Sequence, residues 1–467
     1  MASNSYDLTQ GSILEKLLKV AVPIMGTQLM QMAYNLTDMF WLGRTKQSVV
    51  AVASSGLAGM YLWLGMALLM IGRMGSEIGT SQNLGRGDTE SSKGYAQDSA
   101  RIALVLGIFY GLALIAFTEP LVSLLRVGEQ DVFAKTCAYL RIVGAGIPLA
   151  YLSAAITGVF NGAGNSRLSF WANAVGLFVN MILDPLMILV WGLDVEGAAI
   201  ATVIAQATVC LLFIWFIKRH PNRPFEHFRI LGRLKPERVR QIMRWSLPIA
   251  LESGTFTALA MVVTAMVSAW YGETAVAVQR VGSQIESLSW LIGGGFSSAV
   301  TAFVGQNYGA RKWARIRRGY RISLFTLLVW EGFVTLFLIF GGRYFFSLFL
   351  QEPPEILDMG ATYLIILAGC QLFMALEGAC AGTFRGMGRT LPPSLCSIAS
   401  NILRPILCWW FAQWMGLNGL WLGVTVSAIL RGILMFIWFT IYERQLPHVD
   451  ESESGFLKKH VGGSFAS

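Results

Sequence analysis

Apolar runs separated by short polar breaks recur along the whole chain, and each is long enough to cross a bilayer, which takes about 20 helical residues. Twelve such runs predict twelve helices. The first six lie at 18–42, 48–72, 97–118, 136–160, 168–190 and 196–217. The second six lie at 245–270, 276–303, 321–342, 358–384, 392–414 and 418–442. Only one polar connection is long, from Lys218 to Arg244, and it divides the spans into two sets of six. The expected organisation is an amino-terminal bundle at 1–217, a basic linker at 218–244, a carboxy-terminal bundle at 245–442 and a tail at 443–467.

Composition agrees. Of the 467 residues, 54% are hydrophobic and 13% charged, the latter about half the roughly 25% of a soluble chain. Mean hydropathy is +0.55, so a chain of this size could not keep a polar surface in water. The first apolar run extends past Gln28 and Gln31 to Trp41, too long for a signal peptide and without a cleavage site. The six cysteines sit in apolar stretches without a CxxC pair, and the four histidines sit in polar ones, which argues against disulfides and metal sites.

Positive charge sets the orientation, because cytoplasmic loops retain Lys and Arg. The even-numbered loops hold Arg73, Arg86, Lys93, Arg167, nine basic residues between Lys218 and Arg244, six between Arg311 and Arg321, and Arg385 with Arg389, twenty-one in all. The odd-numbered loops hold five: Arg44, Lys46, Arg126, Lys135 and Arg343. Both termini are therefore expected inside, in the plasma (inner) membrane. The net charge of +9 follows from this bias and calls for anionic lipid headgroups, with no need of nucleic acid.

The two halves repeat each other. Ser81-Gln82-Asn83-Leu84-Gly85 returns as Gly305-Gln306-Asn307-Tyr308-Gly309, and Gly94-Tyr95 as Gly319-Tyr320. The glycines of Gly158, Gly162 and Gly164 return at Gly382, Gly386 and Gly388; Asp184-Pro185 matches Arg404-Pro405, and Pro23 matches Pro248. An even number of spans per copy gives both copies the same orientation. The fold class expected is therefore an all-α polytopic membrane protein, with two six-helix bundles related by a pseudo-two-fold along the membrane normal. Two bundles facing a central cavity suit alternating access. The glycine triplets are open to two readings, helix packing or a tight loop at the cytoplasmic helix ends.

An ionisable side chain at membrane depth costs roughly 2.5–3.5 kcal/mol on the insertion scale, so it tends to face a wet cavity or a partner. The first half has Asp38 and Asp184. With the termini inside, Asp38, Asn180, Asp184 and Thr202 all fall within roughly 15 Å of the outer surface at 1.5 Å per residue. Asn180 and Asp184 share a helix face. Two carboxylates, an amide oxygen and a hydroxyl at one depth suit a hard cation such as Na⁺ or a proton. Neighbouring carboxylates do not both ionise readily, so one can carry a proton. Tyr34, one turn before Asp38, is placed to line the same pocket or to pack at the interface. The repeat supplies a control: Asp38, Asp184 and Thr202 correspond to Val267, Arg404 and Val424, so the cluster is not mirrored as a scaffold feature would be.

The second half carries Glu252, Glu286, Glu331, Glu377 and Arg404. Glu252 and Glu377 lie at similar depth, as candidates for substrate or a second ion, with Arg404 able to neutralise either; Glu331 reads as a locally paired or interface-facing residue. Methionines such as Met32, Met60, Met66 and Met70 suit a permissive apolar cavity or simply core. No GxxxxGK[ST] loop is present, which disfavours ATP-driven transport in this chain. No nucleophile–base or metal constellation supports an enzyme.

The chain resembles the multidrug and toxic compound extrusion (MATE) family, in particular its DinF-like branch. The resemblance rests on Pro23 followed by Asn35-Leu-Thr-Asp38-Met-Phe-Trp41-Leu-Gly43, on the Gly-Gln-Asn segment and on Asn180-Met-Ile-Leu-Asp184-Pro185, within two six-helix halves. It implies secondary active export of cationic or amphipathic compounds in exchange for Na⁺ or H⁺, without a cofactor. It assigns Asp38, Asn180, Asp184 and Thr202 to cation coupling. Pro23, the proline in the first helix, is suited to serve as a hinge about which that helix rearranges. Other branches place cation-linked acids where Glu252 and Glu377 stand. The chain is expected to act as a monomer in the bilayer. A flippase for lipid-linked precursors or polysaccharide, in the same superfamily, is the alternative; it would need a strongly cationic cavity.

Overall fold

The computed structural model describes residues 7–45, 48–125, 129–349 and 354–447. Lys46 and Arg126 of the charge pattern, and the tail from His448 onward, lie outside the described residues. Among the described residues eight helices are long and apolar enough to span a membrane, nine if a pair bent by 43° counts as one span. Two of these are each two helices joined without a loop. Pro236–Gly309 breaks at Gly272 (φ 81°, ψ −174°), and Leu391–Glu443 breaks at Gly416 (φ 61°, ψ −136°). Both conformations are essentially open to glycine alone. Dividing there and counting the first helix, Ile13–Leu42, gives the expected twelve.

We number them α1 (Ile13–Leu42), α2 (Ser48–Gly85), α3 (Thr89–Ala116), α4 (Gln130–Gly162), α5 (Ser166–Pro185 and its π turn Leu186–Val190) and α6 (Asp194–Arg219). The second half has α7 (236–271), α8 (273–309), α9 (Trp313–Phe349), α10 (Pro354–Ala368 with Gln371–Gly386), α11 (391–415) and α12 (417–443). Several helices outrun their apolar stretches. The Gln82-Asn83 and Gln306-Asn307 segments, read from sequence as loops, are the buried polar ends of α2 and α8. The turn that follows α2 is set by Gly87 (φ 79°) and by Asp88, which caps α3. The Ser91 N–H donated to Asp88 holds its carboxyl below the usual range.

Long apolar side chains face outward, among them Phe109 at 68%, Trp414 at 77% and Phe340 at 82% exposure. Hydrocarbon, not water, is the solvent for such surfaces. With no hydrophobic drive between helices in lipid, close packing at small residues does the work. A Cβ on Gly158 would lie 2.3 Å from the Arg73 carbonyl oxygen, and one on Gly162 2.5 Å from that of Glu77. The second half repeats the contact, with Gly382 and Gly386 each 2.7 Å from the carbonyls of Ser297 and Thr301. Thus both readings of the glycine triplet hold, each for different residues: the first two pack helix on helix, and Gly164 (φ 78°) and Gly388 (φ 72°) make the turn.

The chain forms two compact units. Among the described residues the first comprises Asp7 and 22–250, the second 8–21 and 251–447. The long connection is not a free tether: Phe225 and Phe228 are buried in the first unit's core.

Glycine packing of this kind can be weighed by substitution. Gly158→Ala forces a methyl group onto a carbonyl and should cost about 1–3 kcal/mol as an overpacked contact. At Gly59 a Cβ meets nothing within 4 Å, so Gly59→Ala should be neutral or stabilising by up to about 1 kcal/mol. Thermal unfolding in detergent should show a clear fall for the first and none for the second; equal shifts would contradict the packing account.

Candidate functional site

Four helices of the first unit converge on one cluster of oxygens. α1 brings Tyr34 and Asp38, α5 brings Asn180 and Asp184, α6 brings Thr202, and α4 brings Tyr139. The one-turn spacing on α5 lets Asn180 Nδ2 donate to Asp184 Oδ1 at 3.0 Å, which fixes the amide with its oxygen free to face elsewhere. Asp38 stands within hydrogen-bonding reach of both Asp184 and Asn180. The hydroxyls of Tyr34 and Tyr139 approach Thr202. Asn180 and Asp184 are fully buried, and Thr202 and Tyr139 nearly so.

The backbone next to Asp184 is irregular. Pro185 has no N–H for the helix ladder, and the chain passes directly into the π turn Leu186–Val190. π turns inside α-helices concentrate at functional sites. On α1, Pro23 interrupts the ladder fifteen residues before Asp38, and Thr27 donates its hydroxyl to the Pro23 carbonyl.

The polar atoms of the cluster are under-satisfied. Tyr34 Oη, Asp38 Oδ1, Asn180 Oδ1, Asp184 Oδ2 and Thr202 Oγ1 are buried without a hydrogen bond of ordinary geometry, and so is Gln206 Oε1 one turn along α6. Each such group costs about 1–3 kcal/mol. Orphaned buried atoms occur elsewhere too, among them both amide atoms of Asn161 and of Asn401, but here they coincide with two adjacent carboxyls. Buried oxygens on adjacent helices can take up a small cation, and two adjacent carboxyls can share a proton. Any such cation would have to be a hard one, since the donors are all oxygens. Tyr139 and Gln206 were not singled out from sequence. The signal available was a polar group inside an apolar span, obscured by the ease with which tyrosine packs.

The second unit treats its charges differently. Glu252 accepts from Arg385 at 3.1 Å and from Ser394 at 2.8 Å. Glu377 pairs with Arg431 at 2.8 Å. Arg404, expected to neutralise one of these acids, instead donates to Ser427 at 3.0 Å and lies 5.6 Å from the centre of the Phe256 ring. Arg431, at membrane depth in α12, was overlooked as a partner. Glu331 is almost fully buried and joined through Ser289 and Gln371 to Glu286, which agrees with local pairing. The positions matching Asp38 and Thr202 are apolar core: Val267 is buried and Val424 packs on the same cluster.

A family profile described as MatE matches residues 23–186 and 248–410, once in each half. The chain is 26% identical to a probable multidrug resistance protein, NorM, of Thermotoga maritima, over 91% of this chain and 92% of that one. It is 25% identical to the probable multidrug resistance protein YpnP of Bacillus subtilis, covering 93% and 96%. A solved structure described as the outward-facing conformation of a multidrug resistance MATE family transporter of the MOP superfamily superposes with a TM-score of 0.89 at 21% identity, over 96% of this chain and all of that one. A MOP superfamily transporter from Pyrococcus furiosus, whose reversed pocket polarity is described as suggesting a different function, superposes at 0.86 with 21% identity, over 96% and 99%. At such identity the two superpositions establish the fold.

Thr202→Val separates a ligand from a structural hydroxyl. Removing an orphaned oxygen with little change of shape should leave cation-free melting unchanged or raise it by up to about 1–3 kcal/mol, while cation affinity falls. A lower melting temperature with unchanged affinity would mark Thr202 as an ordinary structural residue.

Proposed function

The chain belongs to the MatE family, and from that membership we propose that it is a multidrug efflux transporter, a secondary antiporter whose coupling cation binds at Asp38, Asn180, Asp184 and Thr202, with Tyr34 and Tyr139 closing the site. The single observation that carries the site assignment is the set of buried, unsatisfied oxygens on α1, α5 and α6. Its relatives are named for multidrug resistance, which favours export of small molecules over the flippase alternative. Family members are transporters and not enzymes, and the chain is a multi-pass membrane protein. The substrates proposed are cationic or amphipathic, Na⁺ or H⁺ is the coupling ion, and a monomer in the inner membrane with both termini inside is the working unit.

Uptake of a cation or proton removes the repulsion between Asp38 and Asp184. α1 then rearranges about Pro23, changes the space inside the first unit and expels substrate. One charge crossing a 100 mV potential yields about 2.3 kcal/mol, and each pH unit about 1.4 kcal/mol more. Such a drive sustains a substrate ratio of roughly a hundredfold, depending on substrate charge. Glu252 and Glu377 are not assigned to coupling, because a cation reaching either has to displace Arg385 or Arg431.

Efflux of ethidium from proteoliposomes under separately imposed Na⁺ and pH gradients tests this reading. One gradient should drive export by the native protein, and Asp38→Asn should reduce that export at least tenfold while still inserting. Unchanged export by Asp38→Asn would overturn the assignment.

A further inference from the structure

The first helix of each half begins in the other unit. Residues 8–21, which include the first nine residues of α1, cluster with the second unit, and α1 enters the first unit at Val22. Conversely, 236–250 of α7 cluster with the first unit, and α7 enters the second at Leu251. The repeat pairs Pro23 with Pro248, so a proline sits beside each crossing point, where the helix ladder lacks a donor.

Both leaders are held by an arginine on the third helix of the receiving half. In the second unit, Arg315 of α9 donates to the carbonyls of Leu8, Gln10 and Gly11, the shortest at 2.8 Å. Lys312 donates to the Thr9 carbonyl at 2.7 Å. Gln306 accepts from the Leu8 N–H at 3.0 Å, and Asn307 donates to the Leu8 carbonyl at 3.2 Å. In the first unit, Arg101 of α3 donates to the carbonyls of Ile230, Arg233 and Arg229 at 3.0, 3.1 and 3.2 Å. Asp98, wholly buried, pairs with Arg101 at 2.6 Å and with Arg238 at the start of α7 at 3.3 Å. Packing follows the same symmetry. In the two leaders Leu17 and Ile242 each have no exposed surface. The Gln-Asn repeat, unexplained by the coupling site, thus has a use in the second half: it grips the incoming chain.

We propose that these crossed leaders are the mechanical couplers of transport, with Arg315, Asn307 and Arg101 as positioning residues. The inference rests on the antiport reading. Asp38 sits on the far part of the same helix whose start is clamped in the second unit, so a cation-driven rearrangement of α1 about Pro23 pulls against a fixed end. Without the clamp the helix can move with no load on it. Cation and substrate would then still bind, but the binding energy would no longer be converted into export. The leader of α7 gives the reverse linkage, from the second half into the first unit.

The test compares deletion of residues 2–11, the Asn307→Ala/Arg315→Ala double variant, and Arg101→Ala with the native protein in proteoliposomes. Ethidium efflux is read under whichever gradient drives the native chain, and ethidium binding at equilibrium is read beside it. The coupler role predicts at least tenfold slower efflux with a dissociation constant within twofold of native. It also predicts that combining the deletion with the Asn307→Ala/Arg315→Ala variant is no worse than either alone, since both release one clamp. Efflux within twofold of native in all three variants would overturn it, and so would binding lost in parallel with efflux, the mark of simple misfolding. Failure of the coupling-site reading is distinguishable, because that appears in Asp38→Asn whatever the leader variants do.

Discussion

A carboxylate enclosed among transmembrane helices must find a cation, a proton or a donor, because no water is at hand to solvate it. The first unit of this protein places two carboxyls side by side under that constraint, with the Asn180 amide donating to Asp184. Asp38 Oδ1 and Asp184 Oδ2 are buried without a hydrogen bond of ordinary geometry. Four helices have to meet for this cluster to exist, and one of them leaves the regular helix at Pro185, immediately after the second carboxyl. The proposed exchange of a small cation for a drug-like molecule follows from that deficit.

The second unit meets the same constraint by pairing. Glu252 has Arg385 and Ser394, Glu377 has Arg431, and the Glu331–Ser289–Gln371–Glu286 chain ties its acids together. Since the halves descend from one repeat, the contrast divides scaffold from chemistry. Glycines that bring α4 onto α2 recur where α10 meets α8. Crossed leaders and their prolines recur as well. The oxygen cluster does not: Val267 and Val424 of the apolar core and Arg404, bonded to Ser427, stand where Asp38, Thr202 and Asp184 stand in the first half. What is duplicated holds the helices together; what is unique to one half is where coupling chemistry is proposed.

Much of this was legible in the residues. Hydropathy located twelve spans because a bilayer admits only long apolar helices, and repeat spacing with intramembrane Asp38 and Asp184 pointed to the helices that carry the oxygen cluster. Polar helix ends were misread as loops at Gln82-Asn83 and Gln306-Asn307, because hydropathy senses solvent and not backbone geometry. Gly272 and Gly416 turn the chain in one residue, which no loop-length rule could reveal. Partner choice was the least legible: Arg431 lies more than fifty residues from Glu377, and only the packing of α12 on α10 brings them within 2.8 Å. Tyr139 escaped for a similar reason, since a tyrosine in an apolar span is ordinarily core.

The central claim is that Asp38 and Asp184 together take up the coupling cation, and carboxyl infrared difference spectroscopy addresses it most directly. Purified protein in lipid would be cycled between low and high Na⁺, and separately between low and high pH, while the carboxyl C=O band is recorded. A carboxyl band should respond to the coupling ion in the native protein, vanish in both Asp38→Asn and Asp184→Asn, and persist in Glu252→Gln. A band that survives both aspartate substitutions and disappears with Glu252→Gln would contradict the account.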